Sequence, residues 1–255
     1  MKITIDTRMI NSSGIGTYIK NLLPYIMNDD KYKFLLISNN DNIIESNIGN
    51  FEFIKLKGNI FTVKEQLLYS LLIPKCDLFW SPNINIPLMP IRAKHRITTI
   101  HDVVHIAHPE FFNPTVVKLF RYFLKQATKK SDLLLTVSNF SKDEIIKYSN
   151  IDSKKIHVVY PAVDIKIYNN NIISEKEKIQ LKQKYKLPDR FLIYVGNIKP
   201  HKNLKNLLYA FDKICDDSLY LVVVGNKKGF ITMDKDIDNL LLIKVSKVFF
   251  SSKFR

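Results

Sequence analysis

Short apolar, β-branched runs alternate along this chain with longer segments whose apolar residues recur every three or four positions. The short runs predict strands near residues 3–6, 34–38, 51–55, 77–81, 96–100, 133–137 and 156–160. The longer segments predict helices near residues 15–27, 63–72, 116–130 and 142–149. Strands separated by helices require crossover connections. The expected class is therefore α/β, with a mainly parallel sheet covered on both faces.

The alternation breaks at "IKIYNNNIIS", residues 165–174, an asparagine-rich stretch that reads as a linker. A charged helix over 175–185 then leads through Pro188 to a new strand at 191–195. This second unit opens as the first does. "IKNLLPYI" at 19–26 and "LKNLLYAF" at 204–211 each follow a strand and a loop. Two Rossmann-like units are expected: an N-terminal domain over residues 1–165, a linker and connecting helix over 166–188, and a second domain over 189–255. After a helix from Asn203 and a strand at 219–224, the remainder ends in "LLLIKVSKVFFSSKFR". That is short for a complete doubly wound domain, so the second domain is expected to be partial.

Composition changes the picture in one respect only. A hydrophobic content of 46% and a charged content of 25% are ordinary for a water-soluble fold, but the formal net charge is +15. Such a charge suits nucleic acid, anionic lipid or a phosphate-bearing substrate. No zinc-finger spacing, RNP-like aromatic motif or basic heptad array accompanies it, which argues against nucleic acid. Cys76 and Cys215 lie far apart in apolar-periodic contexts, as reduced buried thiols do. The start, "MKITIDTRMI", alternates like a strand and lacks the apolar stretch of a signal peptide. No apolar run reaches bilayer-spanning length. The expected location is cytoplasmic, with peripheral contact at the inner face of the membrane.

Four segments could carry chemistry. Gly14 and Gly16 in "SSGIGTY" stand between the first strand and the first helix, where backbone N–H groups can approach a phosphate. The same residues also read as a tight turn capped by Ser12 or Ser13. The full dinucleotide fingerprint is absent, because Lys20 and Asn21 occupy the region of its third glycine. His101 and Asp102 follow a strand at the carboxyl edge, where open α/β sheets place their ligands. A histidine and a carboxylate there can hydrogen-bond a substrate hydroxyl or stabilise developing charge. "HDVVH" also imitates the H-E-x-x-H zinc motif, which requires both imidazoles on one helix face. Loop histidines that only cap or pack are the third reading.

Ser141 and Glu144 have capping-box spacing, and Ser138 with Asn139 either faces the cleft or caps that helix. Lys202 follows the strand that ends at Gly196, near a helix start. There its ammonium and the helix N-terminus would both oppose charge on a diphosphate leaving group.

Taken in order, "DTR…GIGTYIKNLL", "HDVVHIAHPEFF", "TVSNFSKDEI", "KIHVVYPAVD" and "YVGNIKPHKN" resemble the GT-B retaining glycosyltransferases of family 4, in particular the mannosyltransferase-like branch. The resemblance runs from Met1 to about Gly225. It implies sugar transfer from a nucleotide-diphosphate donor, GDP-mannose by branch, to a glycan or lipid-linked acceptor, without a metal cofactor. It also implies that the Gly14–Gly16 segment lies under the sugar and diphosphate, that His101 and Asp102 face the reacting sugar, and that Lys202 binds phosphate. Asn197 stands where the family often has an arginine, five residues before that lysine. The family's pair of glutamates beyond the "PHKN" turn has no counterpart, since no glutamate follows Glu177. Weakened transfer, or binding of acceptor or membrane without transfer, is the expectation that follows.

Overall fold

The computed structural model describes residues 1–39, 51–56, 58–163, 165, 168, 173–196, 200–214, 216–225 and 248–251. The chain divides into two compact units, Met1–Ala162 and Val163–Arg255.

The first unit is a parallel sheet of seven strands: β1 (Lys2–Asp6), β2 (Lys33–Ser38), β3 (Phe51–Lys55), β4 (Cys76–Ser81), β5 (Ala93–Thr99), β6 (Leu133–Thr136) and β7 (Ile156–Val158). Their order across the sheet is β3-β2-β1-β4-β5-β6-β7. The helices are α1 (Ser13–Ile26), α2 (Val63–Leu72), the short α3 (Val104–Ala107), α4 (Pro114–Lys130) and α5 (Asn139–Ser149). Register pairs Ile3 with Leu78 and Ile5 with Trp80. Because side chains alternate along a strand, these residues share one face, packed by Ile19 and Leu23 of α1. Ile37 and Phe79 point to the other face, against Tyr69 and Ile73 at α2. Ile100, Leu134 and Ile156 pack there too, with Phe123 and Leu124 of α4 and Ile145 of α5.

That distribution follows from crossover handedness. The chain leaves β1 in one direction along the sheet and later travels in the opposite direction through α2, α4 and α5. Right-handed connections therefore put α1 on one face and the other three on the opposite face. Beyond α1 an apolar cavity of about 260 Å³ opens on the sparsely covered face, lined by Ile5, Tyr18, Trp80, Ile97 and Leu135 among others.

Several boundaries differ from the periodic reading. Helix α4 begins at Pro114, whose missing N–H costs nothing at a first helical position, and Asn113 accepts a hydrogen bond from Thr115 N at 2.9 Å. Helix α5 is capped by Ser138, whose Oγ accepts from Ser141 N at 3.0 Å. The expected Ser141–Glu144 box is not formed, because Ser141 lies inside the helix and Glu144 pairs with Lys147. Strand β5 begins at Ala93, in register with Cys76. Cys76 is a buried free thiol whose pKa is pushed up by burial, whereas Cys215 lies outside the described residues.

The second unit contains α6 (Glu175–Tyr185), β8 (Arg190–Val195), α7 (Leu204–Asp212), β9 (Leu219–Val224) and β10 (Val248–Ser251), with parallel strand order β10-β9-β8. A capping box between Ser174 and Glu177 starts α6. Leu204, Leu208 and Phe211 of α7 pack on Leu221 and Val223. Strand β10 falls in the terminal segment that periodicity left unassigned. No helix among the described residues is long and apolar enough to cross a membrane.

Candidate active site

The carboxyl edge of the first sheet gathers the ends of β1, β4, β5, β6 and β7. His101 leaves β5 and donates from Nε2 to the carbonyl of Pro82, just past β4, at 3.0 Å. A carbonyl oxygen only accepts, so the proton sits on Nε2 and the neutral ring keeps Nδ1 as an acceptor. Burial pulls the His101 pKa below its ordinary value, while the Pro82 carbonyl and Asp102 oppose the shift, so neutrality at pH 7 is favoured. The ring edge meets Tyr18 of α1 with centroids 4.9 Å apart, and Tyr18 in turn meets Trp80 at 6.4 Å. Trp80 is fixed through Nε1–H to Thr99 Oγ1 at 3.0 Å.

Asp102 is exposed, and its Oδ1 accepts from Val104 N at 3.1 Å, which shapes the start of α3. His105 lies apart from His101, stacked on Phe120 with centroids 3.8 Å apart and tilted against Phe112. The two imidazoles of "HDVVH" thus have separate environments. Among the described residues no group of three His, Cys, Asp or Glu side chains could hold a metal ion.

Gly14 and Gly16 lie inside the first turn of α1, not in a loop before it. Ser12 is the N-cap, yet its side chain makes no capping hydrogen bond. The first N–H groups of α1 are therefore uncapped by this side chain, and nothing would meet a Cβ at Gly14. Gly16 is different, because a Cβ there would collide with the carbonyl of Ile10. Backbone cannot swing aside as a side chain can. Gly16→Ala should therefore destabilise the first unit by about 1–3 kcal/mol, read as a lowered urea midpoint, whereas Gly14→Ala should leave the midpoint near wild type.

Ser138 spends its hydroxyl on the α5 cap, and Asn139 donates to Tyr160 Oη at 2.7 Å. Both residues therefore have structural tasks at this edge. In the second unit, Lys202 is exposed at the end of a 3-10 turn, Pro200–Lys202, and Asn203 precedes α7 in the left-handed region with φ 56°. Asn197 lies outside the described residues.

A buried polar network beside the edge had no counterpart in the sequence reading. Arg8 donates to both carboxylate oxygens of Asp6 at 2.9 Å and to Glu65 Oε1 at 2.6 Å. Tyr69 Oη donates to Asp6 at 2.6 Å, and the guanidinium lies 3.8 Å from the Tyr69 ring centroid. Asn85 and Gln66 complete Glu65 at 3.1 and 3.0 Å. Burial alone would lower the Arg8 pKa, but Asp6, Tyr69 and Glu65 outweigh it and hold the guanidinium above its usual range. Through Asn85, whose N–H bonds Asn83 Oδ1 at 2.7 Å, the network anchors the loop that carries Pro82. A charged pair flanking the end of β1, in "DTR", was the available signal.

With two compact α/β units and a polar strand edge in view, the class is defined by kinship. The family model for Glycosyltransferase Family 4 matches residues 53–167, and that for Glycosyl transferases group 1 matches residues 175–254. The chain belongs to these glycosyltransferases, and its fold is of GT-B type. The second match runs to residue 254, so the likeness continues well past Gly225, where the sequence reading ended it.

Among individual relatives, the O-antigen chain mannosyltransferase RfbU of Salmonella typhimurium is 32% identical over 145 residues, covering 57% of this chain and 35% of that protein. The O-antigen chain mannosyltransferase B of Escherichia coli is 29% identical over 52% of this chain and 34% of that protein. The chain thus matches about a third of the length of these two curated relatives. Among solved structures, Anabaena Alr3699/HepE in complex with UDP-glucose superposes with a TM-score of 0.72 at 17% identity, covering 98% of this chain and 68% of that one. A glycosyltransferase from Rickettsia africae gives a TM-score of 0.64 at 15% identity, with coverages of 98% and 67%.

Proposed function

We propose that this chain serves the transfer of a sugar from a nucleotide-diphosphate donor to a glycan or lipid-linked acceptor. The observation that carries the reading is the neutral His101, held by the Pro82 carbonyl and Tyr18 so that Nδ1 remains an acceptor. An acceptor nitrogen on a half-buried ring at a strand's carboxyl end suits a sugar hydroxyl. Asp102 beside it would favour developing positive charge, and the first turn of α1, open at Gly14 and packed closely on Ile10 at Gly16, would favour phosphate oxygens. In the second unit, Lys202 and Asn197 are the donor-side residues of this reading. Kinship with mannosyltransferases supports mannose as the sugar and GDP-mannose as the donor. The reading includes peripheral contact with an anionic membrane, where lipid-linked acceptors lie.

The test is calorimetric titration of the chain with GDP-mannose and, separately, UDP-glucose, followed by transfer assays. Lys202→Ala should weaken binding of the preferred donor by roughly 10–100-fold, as loss of a charge-assisted hydrogen bond of about 1.5–3 kcal/mol implies. Binding of guanosine without phosphates should not change. Equal donor affinity in wild type and variant would remove Lys202 from the site.

A second reading is a binding module without transfer. It is favoured by Asn197, which stands where the family resemblance leads one to expect an arginine against the donor phosphates. Acceptor binding without measurable nucleotide-sugar affinity would identify it.

A further inference from the structure

Helix α2 is turned inside out. Its buried side consists of Glu65, Gln66, Tyr69 and Ser70. Its valine and leucines face water, with Val63 80%, Leu67 50% and Leu71 75% exposed, and Leu68 and Leu72 also outside. The inward side is explained by the Arg8 network, which takes Glu65, Gln66 and Tyr69 as partners. Nothing in that network needs leucine on the opposite side. A water-facing helix normally carries polar residues there.

The apolar surface continues across a groove of about 320 Å³, lined by Phe61, Leu67, Met89, Leu119 and Tyr122 among others. Beyond the groove, α4 turns Lys118, Arg121, Lys125 and Lys129 outward, at spacings of three and four residues, with Tyr122 among them. Helix α4 contains no acidic residue, and none of those four cations forms an ion pair among the described residues. Lys64 on α2 and Lys75 shortly beyond its end are exposed as well.

We propose that this face, the outward leucines of α2 together with the basic stripe of α4, docks the protein on an anionic lipid bilayer. Leucine side chains enter the boundary between headgroups and acyl chains, Tyr122 sits at headgroup depth, and the flanking cations meet lipid phosphates. The net charge of +15 supplies long-range attraction of the same sign. Protein-binding hot spots, by contrast, are built on Trp, Tyr and Arg, with leucine under-represented. The inference rests on the membrane contact included in the proposed function and names the surface that makes it. It does not depend on the donor site.

The experiment is co-sedimentation of the purified chain with phosphatidylcholine vesicles, with and without phosphatidylglycerol. Two test variants are Leu67→Gln/Leu71→Gln and Lys118→Glu/Arg121→Glu. A control, Lys20→Glu/Lys176→Glu, makes the same charge change on α1 and α6. Wild type should bind the anionic vesicles and not the neutral ones. Each basic residue near such a surface contributes roughly fivefold, so the α4 pair should lose about 25-fold or more. The leucine pair should lose binding at unchanged net charge, and the control should stay within a few fold of wild type. All four positions in the test pairs are exposed, so melting temperatures should match wild type; were the leucine pair to fold poorly, the α4 pair would decide alone.

Equal loss in control and test variants would overturn this face while leaving membrane contact standing. No binding by wild type would overturn both. Sedimentation without vesicles that the leucine pair abolishes would make the face a contact between copies and also overturn the proposal. Nucleotide-sugar titration stands outside all of these outcomes.

Discussion

Arg8→Ala should cost the first unit about 3–5 kcal/mol, more than any other substitution considered, because it leaves Asp6 and Glu65 buried without their shared cation. Urea unfolding followed by circular dichroism reads the loss directly. The triple replacement Arg8→Met, Asp6→Asn and Glu65→Gln should recover most of it, since removing a buried charge set together avoids an unpaired ion. A cost below about 1 kcal/mol for Arg8→Ala would mean that water reaches the carboxylates in the folded protein and screens them. The network also fixes the loop through Asn85 and Asn83. The alanine variant should therefore loosen the Pro82 carbonyl and, with it, the His101 ring.

His101→Ala should reduce transfer roughly a hundredfold or more, if its Nδ1 hydrogen-bonds the reacting sugar as proposed, because positioned proton acceptors contribute about 10²–10⁴ in rate. The melting temperature separates this from misfolding, since the ring also packs on Tyr18. A pH series adds a second readout. Burial depresses the His101 pKa below its ordinary 6.5, so the folded state resists protonation relative to the unfolded chain. Its contribution to stability is complete above pH 6.5 and is lost as pH falls through the depressed folded value. His101→Gln should lack that acid-side decline while retaining a donor for Pro82. A variant that transfers sugar at the wild-type rate would remove His101 from the chemistry.

Much of this architecture was legible from periodicity. The continuous apolar run Phe34–Ile37, buried on both faces, and the spacing of Ile19 and Leu23 in α1 record which parts of each element avoid water, and that preference is local enough to read without a fold. Ends of elements were less legible. The reading offered both Ser141, with Glu144 at the right interval, and Ser138 as caps of this helix, and it is Ser138 that holds the extended backbone a cap requires. The region around His101 and Asp102 could be placed at a strand end from the sequence. The ring's partners could not, because Pro82 and Tyr18 reach it through space from other strand–helix connections.

Helix α2 marks the division most clearly. Its residues form a helix for reasons contained in the segment itself, including Thr62, which accepts from Glu65 N at 3.2 Å to start it. By itself, then, the sequence determined the order of strands and helices, the α/β class and the candidate strand-end residues. Each depends on near neighbours and on the twofold or 3.6-fold repeat of the backbone. Only the tertiary structure decided which way α2 turned, which nitrogen of His101 keeps its proton, and that Arg8 joins Asp6 to Glu65. A charged or polar side chain settles where distant partners desolvate it at least cost, and those distances exist only once the sheet has assembled.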